Sequence, residues 1–511
     1  MARFFNTAGP CDPSRHYMLP PAQRLPEIGG LIGRALYFVL HAPRQSGKTT
    51  LVRSLAQSLA SEDRYAAVYA NCETAQTAGA DVERGVSAIL EVLASQSERL
   101  APELRPEPLD AFRETRAESR LGKYLARWCE RSARPVVLFL DEIDALRDET
   151  LLSVLRQLRA GYPERPAHFP QSVALVGLRD VRDYRIRLRA GTESLGTSSP
   201  FNIKVRSLTL ENFTRDEVAE LYGQHTEETG QRFIPEAVDL AWQLTRGQPW
   251  LVNALAAEAV DALVPDRTLA IEPPAIERAR EILIERRDTH LDSLIDRLRE
   301  PRVRRVLEPV LAGDFLPPDL PDDDVQFVKD LGLITSGPNG LEISNPIYRE
   351  VIPRALTWTL QESLPVARSP LIAADGRLRT DLLLADFRAF WCEHAEFFLR
   401  RQPYSEAAAQ LIFMAYLQRV VNGGGFIDRE YGVGKGRIDL CVRWPCPSCP
   451  GGVQRWAIEL KVWRDGRPDP LEEGLSQLST YLDRLGLDTG TLILFDSRSG
   501  TAPLPERCAS A

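Results

Sequence analysis

Five apolar runs, each of strand length, punctuate the first 210 residues: ALYFVLH (35–41), AAVYANC (66–72), PVVLFLDEID (135–144), SVALVGL (172–178) and FNIKVRSL (201–208). Between them the apolar positions recur at helical spacing, with a helix opening at Lys48–Leu59 and amphipathic stretches near 80–98 and 108–132. Continuous apolar strands alternating with helices predict a parallel sheet covered on both faces. Ahead of the first strand stand Pro10, Pro13, Pro20, Pro21 and Pro26, which predict an extended lead-in rather than a helix.

From Thr214 to about Leu263 the pattern turns wholly helical, and TRDEVAELY opens with a Thr cap and acids in its first turn. Residues 276–365 are Arg-rich and helical. They end in DDVQFVKDLGLITSGPNGLEISNPIYREVI, which reads as helix, short hairpin turning at Pro338–Gly340, and helix, an order that resembles a winged helix. ARSPLIAADGR reads as a linker, and a fresh α/β pattern follows it. The expected organisation is an α/β multidomain chain. A lead-in (1–34) is followed by a parallel-sheet core (35–210), a helical lid (211–270) and a winged-helix-like domain (271–365). A linker (366–377) then leads to a second α/β domain (378–511).

Composition changes this picture in three places. No apolar run approaches the roughly 18–20 residues of a bilayer span, and the N-terminus lacks a secretory pattern, so a cytoplasmic protein without a membrane partner is expected. The eight cysteines are scattered, which suits reduced, buried thiols. A net charge of −8 gives no global basic field, although a local groove can be basic on an acidic protein. Lysine occurs six times against 57 arginines. Lys48 and Lys461 both fall inside motifs, where a compact ammonium fits beside a phosphoryl oxygen or attacking water and a planar guanidinium does not.

The segment Ala42-Pro43-Arg44-Gln45-Ser46-Gly47-Lys48-Thr49-Thr50 joins a buried strand to a helix and follows the phosphate-loop pattern G-x-x-x-x-G-K-[ST], with Ala42 in place of the first glycine. In that pattern successive backbone N–H groups and the helix N-terminus hold a β-phosphate. Lys48 reaches the β- and γ-phosphates, and the Thr49 hydroxyl ligates Mg²⁺. Ala42 is tolerable only at negative φ. The third strand runs into Asp141 and Glu142: Asp141 would hold Mg²⁺ through water, and Glu142 would act as general base. A DE pair after a strand is by itself an ordinary solvated strand end; a phosphate loop in the same sheet makes it a nucleotide site.

This order of elements resembles AAA-like P-loop ATPases of the STAND and archaeal-ATPase kind. TRGQPWLVNAL, with Gly247-Gln248-Pro249, is similar to their lid motif, and the lead-in is similar to a segment that packs over the nucleotide base in one bacterial group. The resemblance covers about residues 1–360. It implies ATP, and places His16, Tyr17, Pro21 and Arg24 near adenine; the residues themselves do not separate adenine from guanine. The family's polar sensor after the fourth strand falls on Arg179 and Asp180, where Asn or Thr is usual. Arg179 either contacts the γ-phosphate or pairs with an acid.

In the last domain GKGRIDL (434–440) and AIELKVW (457–463) form a second motif. Glu459 and Lys461 stand two apart, so on a strand they share a face, with Ile458, Leu460 and Val462 toward the core. Asp439 ends the preceding strand, and together they present Asp439 and Glu459 to Mg²⁺ with Lys461 beside the attacking water. Asp439, E-x-K, Gln477 and Tyr481 in a Q-x₃-Y helix, and the closing strand TLILFD (491–496) resemble the PD-(D/E)xK nuclease superfamily. That resemblance implies Glu406 as an additional acidic ligand. An isolated E-x-K is more often a surface salt bridge; order and spacing favour the metal site. Cys446 and Cys449, with Cys441 nearby, read either as zinc ligands or as free thiols in a tight turn. The Arg-rich helices at 276–305 carry interleaved acids and suit a salt-bridged face.

The expected protein binds and hydrolyses ATP with Mg²⁺ and controls a Mg²⁺-dependent nuclease acting on nucleic acid, with DNA the expected substrate and a homo-oligomer a further expectation. Defence or mobile-element maintenance is the role such fusions suggest by analogy. The competing expectation is a STAND-type signalling ATPase whose last domain only binds a partner or nucleic acid.

Overall fold

The computed structural model describes residues 3–180, 185–188, 191–194, 204–286, 296–312, 316, 319–337, 340–356, 371–401, 412–414, 416–417, 425–433, 436–463, 466–496 and 498. The chain divides into two units, Met1–Glu285 with Lys329–Leu333, and Arg286–Val328 with Ile334–Ala511.

The first unit begins with two helices, α1 (Pro21–Arg24) and α2 (Glu27–Gly33). Over residues 21–33 this corrects the extended lead-in expected from the prolines, while residues 3–20 hold no helix. Pro21 is the first residue of α1 and Pro26 the cap of α2, positions where a missing N–H costs nothing and a fixed φ starts a helix. Strand β1 (Tyr37–His41), α3 (Lys48–Ser61) and β2 (Ala66–Asn71) follow. Next come α4 (Val82–Ser97), α5 (Ala117–Arg131), β3 (Val136–Asp141), α6 (Asp148–Gly161) and β4 (Ser172–Gly177). An antiparallel pair, β5 (Arg185–Leu188) and β6 (Gly191–Ser194), precedes β7 (Lys204–Thr209). That pair was not expected from the pattern.

The sheet has the order β2-β3-β4-β1-β7, every neighbour parallel. One face packs on α4, α5 and α6 around Trp128, whose Nε1 donates to the Leu104 carbonyl at 2.7 Å. The other covers Phe38, Val137 and Phe139 with apolar residues of α2 and α3. All six residues of β3 are buried. At about 1.5–3 kcal/mol for each fully buried Val, Leu or Phe, this strand is fixed in register, and so is the acid at its end.

The lid helices are α7 (Arg215–Thr229), α8 (Pro235–Thr245) and α9 (Pro249–Ala257), followed by a π-helical turn at Glu258–Leu263. Thr214 caps α7 as expected, and Glu217 completes a reciprocal capping box with it. Helix α10 spans Pro273–Arg286.

The second unit contains α11 (Pro301–Ala312) and most of α12 (Asp322–Asp330), then the hairpin β8 (Ile334–Gly337) and β9 (Gly340–Ile343), and α13 (Pro346–Leu356). After α14 (Thr380–Arg401) comes a four-stranded sheet of order β10 (Phe426–Val433), β11 (Gly436–Pro445), β12 (Val453–Trp463), β13 (Gly490–Asp496). The first two pairings are antiparallel and β12–β13 is parallel, joined through α15 (Leu471–Leu485). Among the described residues no helix is long and apolar enough to cross a membrane.

Candidate functional site

Where β1 ends, the chain turns through Ala42–Gly47 into α3. The left-handed positions of this loop are Gln45 (φ 56°) and Gly47 (φ 91°), not Ala42. The alanine therefore carries no steric penalty, and the departure from the glycine pattern is explained. Ser46 is buried and its Oγ has no hydrogen-bond partner.

Lys48 opens α3 and is nearly buried. Its Nζ donates to the carbonyls of Ala42 and Pro43, each at 2.8 Å. The Thr49 hydroxyl donates to Asp141 Oδ2 at 2.7 Å, joining the helix to the end of β3. Asp141 is 0% exposed; Tyr69 Oη donates to the same Oδ2 at 3.1 Å, and the Glu142 N–H to Oδ1 at 2.9 Å. Glu142 adopts φ 52°, a strained value for a residue with a side chain, and one that recurs at functional turns. Burial pushes its carboxyl above the usual range, helped by Asp144 and opposed by Lys48. Burial likewise pulls the Lys48 ammonium below its range, against Glu142, Asp144 and Asp141. Both shifts have the same first cause, removal from water.

Gln248 links the lid to this loop. Gln248 caps α9, accepting from the Leu251 N–H at 2.6 Å, while its Nε2 lies 3.5 Å from the Gln45 carbonyl. Gly247 sits at φ 72°, where a Cβ would fall 1.8 Å from the Phe213 carbonyl oxygen, so no other residue fits there. The N-terminal segment crosses the same region: the Cys11 N–H donates to Thr50 Oγ1 at 3.0 Å, and Trp250 Nε1 to the Thr7 carbonyl at 2.8 Å.

Tyr17 and Arg24, expected at the base, are engaged elsewhere. Tyr17 is 1% exposed, packed by Phe5 and His225 in the lid's aromatic core, so neither ring face is open to a ligand. Arg24 bonds Glu217 and the Glu211 carbonyl and lies over the Phe213 ring. Both anchor the N-terminal segment to the lid. Of the two readings of Arg179, the ion pair is the one present: its Nε donates to Asp330 Oδ2 at 2.6 Å, both side chains nearly buried.

The donors around Asp141 suit a hydrated Mg²⁺ with a phosphate. Thr49 and Asp141 are hard oxygen ligands in contact, and one carboxylate with substrate oxygens is the usual holding for this ion. Lys48 is satisfied by two carbonyls of the loop, and Ser46 Oγ is buried without a partner. Sequence reasoning missed Tyr69 and Asp144. Nothing in the β2 sequence signals a contact made across two strands, whereas Asp144 was visible in DEID.

The second centre lies where β11 and β12 part. Their pairing ends at Leu440–Ile458, and Asp439 and Glu459 stand one residue beyond. Asp439 Oδ2 accepts from the Leu460 N–H at 2.8 Å. Glu459 is 3% exposed; Lys461 Nζ lies 3.2 Å from its Oε1, and Oε2 is buried with no hydrogen-bond partner. Burial, then Asp439, raises the Glu459 carboxyl to about 7. Ile458 and Leu460 face the core as expected, and α15 crosses Lys461 at Gly474, where a Cβ would meet Leu492 and Lys461 side chains. Gln477 and Tyr481 lie on α15. Two carboxylates with an orphaned oxygen fit a hard divalent cation, although among the described residues no three His, Cys, Asp or Glu gather to hold one. Glu406 lies outside the described residues. Cys446 and Cys449 form a disulfide in the β11–β12 loop, which corrects the free-thiol and zinc readings of that pair.

Residues 30–168 match the AAA ATPase domain family, and the chain carries a P-loop ATPase domain of this kind. No curated protein matches. Among solved structures the chain is similar to the Walker-type ATPase of Pyrococcus abyssi, at 15% identity and TM-score 0.45, covering 68% of this chain and 99% of that one. It is also similar to the ORC2 protein of Aeropyrum pernix (14%, 0.40, covering 66% and 93%). The RuvB Holliday junction branch migration motor of Thermotoga maritima is a third (15%, 0.34, covering 68% and 93%).

Proposed function

Starting from a chain that carries an AAA-type P-loop ATPase domain, we propose that it binds and hydrolyses ATP, and that ATP governs a Mg²⁺-dependent PD-(D/E)xK-type nuclease in its last 130 or so residues. The observation that carries the first half is the direct Thr49–Asp141 contact beside Lys48 and Glu142. The backbone N–H groups of Pro43-Arg44-Gln45-Ser46-Gly47 and the start of α3 bind the phosphates, less Pro43, which has no N–H. Lys48 exchanges its two carbonyls for phosphoryl oxygens. Thr49 and Asp141 would hold Mg²⁺, which when bound neutralises charge on the phosphates. Glu142 takes a proton from the attacking water, and its raised basicity from burial suits that task.

For the second half the supporting observation is the unpartnered Glu459 Oε2 next to Asp439 and Lys461. Asp439 and Glu459 would hold the cation, which supplies a nucleophilic water and charge neutralisation. Lys461, on the same strand face, orients that water and the scissile phosphate. The helix–hairpin–helix of α12, β8, β9 and α13 is read as a winged helix that contributes to nucleic-acid contact. The Lys461–Glu459 ion pair also supports a second reading, a charged face that binds a partner or nucleic acid without cutting it.

The deciding experiment incubates the purified protein with duplex and single-stranded DNA and RNA, with Mg²⁺ or Mn²⁺, with and without ATP. Metal-dependent cleavage lost in Asp439→Ala supports the nuclease; binding without cleavage in every condition supports the second reading. Glu142→Gln should retain ATP binding and lose turnover. Its affinity for nucleic acid with and without ATP measures coupling, since reciprocity holds for binding affinities. Equal affinities would remove the control role.

A further inference from the structure

Asp141 is held by three donors, and one of them belongs to no motif. Thr49 comes from the phosphate loop and the Glu142 N–H from the next residue; Tyr69 comes from the neighbouring strand β2. The register explains how it reaches. Tyr69 pairs with Phe139 and Asn71 with Asp141, so Tyr69, Phe139 and Asp141 share one face of the sheet. A phenol laid along the strand direction spans the two-residue offset, roughly 6.6 Å, and delivers its hydroxyl to the carboxylate. Its ring is half-buried against the α3 side of the sheet, with the Arg53 guanidinium 5.8 Å from its centroid. Burial, and then Asp141, push the phenol above its ordinary range.

We propose that Tyr69 is a positioning residue of the ATPase centre, its hydroxyl fixing the Asp141 carboxylate in the orientation that receives Mg²⁺ with the nucleotide. This rests on the reading of that centre as a Mg²⁺–ATP site. A ligand carboxylate whose outer hydrogen bond is lost can rotate, and metal affinity typically falls about 10–100-fold. The phosphate contacts of the loop and Lys48 do not pass through Tyr69, so nucleotide affinity without metal should not change.

The test is Tyr69→Phe, which keeps the ring and removes one oxygen. A fluorescent ATP analogue is titrated into parent and variant, in EDTA and across a Mg²⁺ series. The expected result is a half-saturating Mg²⁺ raised about 10-fold, metal-free affinity within about twofold, and hydrolysis recovered at high Mg²⁺. In an Asp141→Asn background the same substitution should have no further effect, because its route is gone. Equal Mg²⁺ dependence in parent and Tyr69→Phe overturns the proposal, as do additive effects in Asp141→Asn. A variant that fails to fold, read by thermal melting, overturns it in favour of a packing role. A parent protein with no Mg²⁺-dependent nucleotide binding sinks the ATPase reading itself, a distinguishable outcome.

Discussion

Each unit places a buried carboxylate at a strand position beside a lysine, yet the two are satisfied in opposite ways. Asp141 has donors on both oxygens, and its lysine partner spends its charge on backbone carbonyls. Glu459 has one oxygen paired with Lys461 and the other with nothing, and its carboxyl rises to about 7. The first acid is organised before any ion arrives. The second has an oxygen that is buried without a hydrogen-bond partner. A preorganised centre is expected to resist local change until a charged group is removed, whereas an unsatisfied one should respond to pH and metal directly.

The largest effects should come from the unsatisfied centre. Asp439→Ala, Glu459→Ala and Lys461→Ala should each reduce metal-dependent nucleic-acid cleavage by at least about 10³-fold, the upper range for one stabilising group at a reacting centre. ATP hydrolysis should stay near the parent rate. Cleavage that persists in Asp439→Ala and still needs metal would move the chemistry elsewhere and end the comparison.

Lys48→Ala is the matching test of the organised centre. Nucleotide affinity should fall by at least about 100-fold and hydrolysis should disappear, because the phosphates lose their fixed cation. Calorimetric titration with ATP reads the first effect. Cleavage without ATP should survive.

A structural contrast can be sharpened at Arg179. Removing either member of a buried ion pair takes a close opposite charge from the other, so Arg179→Ala or Asp330→Ala should each destabilise the protein by about 3 kcal/mol in urea denaturation. The double variant should cost less than the sum. Hydrolysis that collapses in Arg179→Ala with stability intact would instead return this arginine to the γ-phosphate.

The smallest effect is a pH dependence in EDTA. A carboxyl whose folded pKa is raised holds its proton more tightly in the native state, so its contribution to stability is full below its ordinary value near 4.5. It is lost as pH rises through about 7. Stability should therefore decline across that window, and Glu459→Gln should flatten the decline. Saturating Mn²⁺ should do the same in the parent protein. An identical slope in Glu459→Gln would assign the titration to another group.

Short-range chemistry was legible from the chain alone. The five sheet strands, the helix at Lys48, the helix cap at Thr214 and the acids at Asp141 and Glu142 depend on neighbours within a few residues, and apolar period and motif spacing carry that information. Glu459 and Lys461 were placed on one strand face by simple alternation. Prolines misled only where their meaning depends on position: Pro21 and Pro26 start helices that a proline count had excluded.

What required the tertiary structure was every choice made between distant segments. Arg179 meets its acid in Asp330, 151 residues away, and Tyr17 is withdrawn into an aromatic core built largely by the lid. Tyr69 reaches Asp141 only because β2 and β3 are neighbours in one register. The unsatisfied oxygen of Glu459 lies where the pairing of β11 and β12 ends. A sequence fixes which groups can donate, accept or ionise. Desolvation and partner geometry, which set how strongly they do so, come from what the folded chain brings within about 3 Å of each atom.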